Sequence, residues 1–79
     1  MTIVSKFHDC FGNRAEIART ELYAYKGAAQ KQLAYIVSLF SESDDDFMYF
    51  RDTFTSYQDA RQEMTRFSLN KWVIDTTRL

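Results

Sequence analysis

The chain has 79 residues, 46% hydrophobic and 27% charged, with five Tyr, seven Phe, one Trp, two Gly and no Pro. It is read as one small domain spanning residues 1–79, and the scarcity of Gly and Pro excludes a flexible linker, a polyproline ligand and a collagen-like repeat. A formal charge of −1 excludes a protein held to its partner mainly by phosphate contacts, and an apolar run no longer than Leu33 to Val37 is too short to span a bilayer.

At the N-terminus Ile3, Val4, Phe7, Cys10 and Phe11 recur at spacings of three and four, which predicts a short helix closed by Gly12 and Asn13. Residues 14–25, 31–41 and 47–54 are read as three strands of an antiparallel sheet, the last two rich in β-branched and aromatic side chains. Lys26-Gly27 and the acidic stretch Glu42 to Asp46 separate them. Alternation then sets Ala18, Thr20, Leu22 and Ala24 against Arg19, Glu21, Tyr23 and Tyr25. In the third strand it sets Met48, Phe50 and Phe54 against Tyr49, Arg51 and Thr53.

A C-terminal amphipathic helix follows, with Tyr57, Ala60, Met64 and Phe67 on one stripe. Thr55 with Gln58, and Ser56 with Asp59, each offer a start signal in which a hydroxyl accepts an early backbone N–H. Residues Lys71 to Asp75 add an edge strand or cover the core with Trp72. The expected class is α+β: a short N-terminal helix, a three-stranded antiparallel sheet and a C-terminal amphipathic helix.

An all-α helical hairpin is the alternative, because Ala18, Leu22, Tyr25, Ala29, Leu33, Ile36 and Phe40 also follow a helical spacing. Gly27 inside the first such helix and the Tyr35-Ile36-Val37 run weigh against it.

The near-neutral total conceals a division. Residues 1–40 carry +2, residues 41–59 carry −5 and residues 60–79 carry +2, so any electrostatic role is regional. Cys10, the one cysteine, has no partner for an internal disulfide, and the N-terminus lacks a basic segment followed by a long apolar run. A reduced, cytoplasmic protein is expected.

His8 and Cys10 are two residues short of a zinc site and, two apart on a helix, point in different directions. A surface imidazole and a small buried thiol are the plainer reading. Glu42, Asp44, Asp45 and Asp46 lack the alternating acids, central Gly and twelfth-position Glu of a calcium loop. They read as a solvated turn or as a patch that meets a basic partner surface. With no phosphate loop, no nucleophile elbow and no zinc-protease motif, no enzyme, metal or cofactor is expected.

The sheet's solvent face is the stronger candidate. Tyr23, Tyr25 and Tyr49 with Arg19 and Arg51 are expected to lie together on it, and Tyr with Arg is the pairing that protein interfaces favour. The expected protein-binding residues are therefore Tyr23, Tyr25, Tyr49 and Arg51 with Glu42, Asp44, Asp45 and Asp46.

The junction FRDTFTSYQDARQEMTRF leads from an aromatic strand through a Thr/Ser cap into an amphipathic helix. With the order strand, strand, strand, helix over about residues 14–69, it resembles small phage-encoded inhibitors of the anti-CRISPR kind. The resemblance is architectural and carries over no functional residue. It implies a non-enzymatic protein without a cofactor that occludes a surface of a bacterial defence complex.

Three functions are carried forward. The first is a non-enzymatic protein-binding module, an inhibitor or adaptor. The second, less favoured, is a nucleic-acid-binding domain using Lys26, Lys31, Arg61, Arg66, Lys71 and Arg78 with tyrosine stacking. The third is a homo-oligomeric structural component, which follows from the helical hairpin because two helices alone leave apolar surface to bury. The oligomeric state is left open.

Overall fold

The structure is a computed structural model that describes residues 1–23, 25–41, 44–66 and 71–77, with the side chains of 44–50 outside the described set. Its elements are β1 (Thr2–His8), β2 (Arg14–Tyr23), β3 (Lys31–Ser41), β4 (Asp44–Phe54), α1 (Tyr57–Arg66) and β5 (Val73–Thr77). The strands form one antiparallel sheet in the order β4-β3-β2-β1-β5. β1 to β4 follow one another as a meander. α1 then crosses the sheet and places β5 on the far edge beside β1.

Two expectations are corrected. The chain is neither a helical hairpin nor a three-stranded sheet, since β1 and β5 bring the strands to five. The N-terminal segment is β1, not a helix. Its helix-like spacing has a physical origin in a register shift between Ile3 and Ser5. One extra residue there leaves both Val4 and Ser5 buried, with Phe7 buried two residues further on. A bulged strand thereby reproduces the three-residue step of a helix. Gly12 (φ 84°) helps turn the chain into β2 instead of ending a helix.

That turn is organised by Asp9, only 3% exposed. Its Oδ1 accepts the backbone N–H groups of Phe11 and Asn13, each at 2.9 Å, and its Oδ2 accepts Asn13 Nδ2 at 3.0 Å. Asp9→Ala leaves those part-buried donors without their acceptor, and each buried donor left unmatched costs about 1–3 kcal/mol. A loss of about 2 kcal/mol in urea unfolding is the expected result, and a loss near zero would show that water replaces the carboxylate.

The helix-covered face holds the core: Val4, Phe7, Ala15, Ile17, Val37, Leu39, Ala60 and Met64, with Tyr35, Phe54, Tyr57 and Trp72 packed around it. Tyr57, Ala60 and Met64 are thus the inward stripe that the sequence predicts, while Phe67 lies outside the described residues. Of the two start signals, Ser56 is the one used: its Oγ accepts Asp59 N–H at 3.1 Å, and its carbonyl accepts Ala60 N–H. Trp72 Nε1 donates to the Met64 carbonyl at 2.9 Å, satisfying an acceptor at the helix end as the chain leaves for β5. Tyr57 ties the helix to the sheet, with its hydroxyl 2.8 Å from Ser5 Oγ and its ring edge-on to Tyr35 at 5.9 Å.

Candidate protein-contact site

β2 and β3 are longer than the sheet that supports them. β1 pairs no further along β2 than Thr2 with Arg19, and β4 no further along β3 than Phe54 with Tyr35. Four more pairs, from Thr20 with Ala34 to Tyr23 with Lys31, run on as an unsupported two-stranded ribbon, which at ~3.4 Å per residue extends about 14 Å. The molecule is elongated accordingly, at 43 × 23 × 20 Å. At the tip Ala28 N–H donates to the Tyr25 carbonyl at 3.1 Å, and Gly27 takes φ 94°, a conformation that side chains disfavour.

The ribbon carries large apolar side chains that none of the described residues covers. Tyr25 is 70% exposed, Tyr23 56%, Leu33 48% and Leu22 42%. Met1 and Ile3, also exposed, lie at the same end of the sheet. Tyr23 and Leu33 are diagonal neighbours on the helix side, and Lys31 Nζ sits 5.5 Å from the Tyr23 ring centroid. Leu22 is on the opposite side. A shallow depression at the root is lined by Arg19, Glu21, Lys31 and Leu33 with Met1 and Thr2. With Arg19, Lys26 and Lys31 against Glu21, the ribbon is locally basic.

The expected solvent face is not assembled as the alternation suggested. Ala15 and Ile17 point into the core, so Arg19, Glu21 and Tyr23 continue along the helix-covered side beyond the helix. Ala18 and Leu22 lie on the uncovered side. Arg51, paired with Ser38, belongs to the uncovered side and is separated from Arg19 and Tyr23 by the sheet itself. Tyr23 and Tyr25 therefore share the ribbon without Arg51. Glu42 lies outside the described residues, as do the side chains of Asp44, Asp45, Asp46 and Tyr49.

By backbone position, Asp44 pairs with Ser41 at the end of β3 away from Lys31. Ten steps along the strand at ~3.3 Å put the acidic segment about 33 Å from the ribbon's basic residues. The two halves of the expected site thus occupy opposite ends.

The remaining candidates resolve individually. His8 Nδ1 lies 2.6 Å from Asp75 Oδ1 across the β1–β5 pair, and Cys10 is exposed in the first turn. Among the described residues no group of three His, Cys, Asp or Glu is placed to hold a metal ion, and no helix is long and apolar enough to cross a membrane.

The basic residues named for nucleic acid are dispersed. Lys26 and Lys31 are on the ribbon. Arg61 lies over the Phe7 ring at 4.9 Å, and Arg66 reaches Glu63 at 3.2 Å, both on α1. Lys71 follows the helix, and Arg78 lies outside the described residues.

Leu22 and Leu33 are the contact candidates that sequence reasoning missed, because apolar residues in strands read as core. The strands as read have twelve, eleven and eight residues, but β4 is itself eleven residues long, so the overhang comes from pairing register, which the sequence does not display. No protein-family model matches the chain, and no curated protein or solved structure matches it.

Proposed function

We propose that the protein is a non-catalytic protein-binding module that engages its partner through the β2–β3 ribbon. The carrying observation is the exposure of Tyr23, Tyr25 and Leu33 on the ribbon beyond the covered core, bordered by Arg19 and Lys31, with Leu22 exposed on its other side. Exposed apolar side chains rimmed by polar ones mark contact surfaces, and tyrosine supplies large buried area with a polar handle at little conformational cost. A two-stranded ribbon is marginal on its own. Its retention in so small a domain is understandable if a partner completes its burial.

The basic rim selects an acidic partner surface. An inhibitory role toward a bacterial defence complex rests on the architectural resemblance, and it enters the proposal as one identity for that partner.

Nucleic acid is the weaker reading, because among the described residues Lys26 and Lys31 on the ribbon stand apart from Arg61 and Arg66 on α1 and make no continuous track with them for a phosphate backbone. Affinity capture from the source organism's lysate decides between the readings. The wild type is run beside a Tyr23→Ser, Tyr25→Ser, Leu33→Ser triple variant, with a gel-shift assay on single-stranded and duplex oligonucleotides in parallel. A protein retained by the wild type and lost by the variant supports the ribbon. Equal capture by both, or an oligonucleotide shift that fades steeply with salt, refutes it.

A further inference from the structure

α1 packs over β2, β3 and β4, so the β1–β5 side of that face runs out beyond the helix. The flank of α1 turned to this side carries Tyr57, Gln58, Arg61, Gln62 and Thr65, which line an open depression of about 350 Å³. Two contacts root the flank in β1. The Tyr57 hydroxyl meets Ser5 Oγ at 2.8 Å, and the Arg61 guanidinium carbon stands 4.9 Å from the Phe7 ring centroid. Ile74, the cross-strand partner of Phe7, lies on the same face and is 44% exposed.

Arg61 is a cation without a counter-charge. Its Nε–H is shut off from water and has no acceptor, a costly state for a donor, while its two Nη groups, not buried, stay within reach of a ligand. Among the described residues no carboxylate pairs with it. The positions one turn away on either side are Tyr57, Gln58, Met64 and Thr65, none of them acidic. Glu63 is engaged by Arg66 at 3.2 Å, and Asp75 by His8 at 2.6 Å. The face of Phe7 offsets part of the charge, but a ring face cannot accept the in-plane N–H groups of a guanidinium, whose fork matches a carboxylate.

We propose that this flank binds an acidic, aliphatic peptide segment of a partner protein, with a Glu or Asp carboxylate on Arg61 and a neighbouring apolar side chain against Ile74 and the Tyr57 ring. Charge decides the occupant. Arg61 is the sole charged side chain among the described residues that line the depression. A purely apolar segment would cover that cation and leave it unpaired, which is unfavourable, whereas an acid-bearing one supplies the missing acceptor. One isolated arginine makes no track for a phosphate backbone. The site lies apart from the ribbon: Ala15, which pairs with Phe7, is eight steps along β2 from Tyr23, about 27 Å at ~3.4 Å per residue. It stands whether or not the ribbon is a contact surface.

NMR titration of the whole chain with acetyl-Leu-Glu-Leu-Glu-Leu amide tests the proposal, with the glutamine counterpart of the peptide as the control. The Arg61 Nε–H signal, sheltered from exchange with water, should shift saturably with the acidic peptide and not with the control, together with the amides of Tyr57 to Thr65 and of Ile74. Arg61→Gln should raise the dissociation constant by about tenfold or more. Because that change also removes the contact with Phe7, Gln58→Glu is the second variant. It places a carboxylate one turn before Arg61, at a spacing that pairs within a helix, and should weaken the peptide about tenfold without lowering the urea midpoint. The proposal is overturned by the absence of a saturable shift at millimolar peptide, by equal shifts with both peptides, or by shifts confined to Tyr23, Lys31 and Leu33 of the ribbon. A folded Gln58→Glu variant that binds the peptide as the wild type does overturns it as well.

Discussion

Phe7→Ala is expected to cost about 3–5 kcal/mol of stability, the range for emptying an aromatic site in a core. Phe7 is 1% exposed and among the largest fully buried side chains of the described residues. It lies on β1, under Arg61 of α1, whose guanidinium carbon is 4.9 Å from the ring centroid. Removing the ring leaves a cavity between helix and sheet and strips Arg61 of its aromatic partner, a contact worth about 0.5–2 kcal/mol.

Small domains hold total stabilities near the lower end of about 5–15 kcal/mol, so the variant should be substantially unfolded at physiological temperature. Urea unfolding followed by circular dichroism should show a much lower midpoint with little change in slope. Phe11→Ala provides the contrast: Phe11 is 62% exposed in the first turn, and its loss should change stability by no more than about 0.5 kcal/mol. Equal effects from the two would mean that Phe7 is not packed in the core between β1 and α1.

Tyr23→Ala and Leu33→Ser should each weaken partner binding by about 2 kcal/mol or more, roughly thirtyfold, as truncation of a central interface residue does. Folding stability should move by no more than about 0.5 kcal/mol, because both positions lie past the last pairs that β1 and β4 make with the ribbon's strands. The split between lost binding and kept stability distinguishes a contact residue from a structural one.

Lys31→Ala should have a different signature. Its charge acts before contact, so the association rate should fall and the rate should lose part of its dependence on salt. Replacing Asp44, Asp45 and Asp46 together by Ser probes the opposite end. If the ribbon alone makes the contact, that triple variant leaves affinity unchanged, and slowed association would show that the acidic segment faces a second, basic surface.

How far the sequence could be read depended on whether a pattern had one structural meaning. Ala60 and Met64 recur at helical spacing behind a serine cap, and α1 has the expected inward stripe because no strand geometry mimics a sustained pattern of that kind. Val4 and Phe7 are also three apart, yet they sit on a strand, since one bulge is enough to imitate a single helical step. The alternation in β2 separated its two sides correctly: Arg19 and Tyr23 do oppose Ala18 and Leu22. Which side faced the helix was not contained in that alternation. Ala15 and Ile17 decided it by packing beneath Ala60 and Met64.

The sequence by itself indicated strands over residues 14–25, 31–41 and 47–54, the position of α1 with two candidate caps, and the aromatic and charge content of the chain. These depend on local propensity and short-range periodicity, which a chain carries wherever it folds. The tertiary structure decided that β1 and β5 complete a five-stranded sheet and that Tyr23 and Tyr25 stand apart from Arg51. It also decided that Leu22 and Leu33, apolar and in strands, are left in solvent. Those outcomes follow from pairing register and from how far each strand outruns its neighbours, and both are relations between segments distant in sequence.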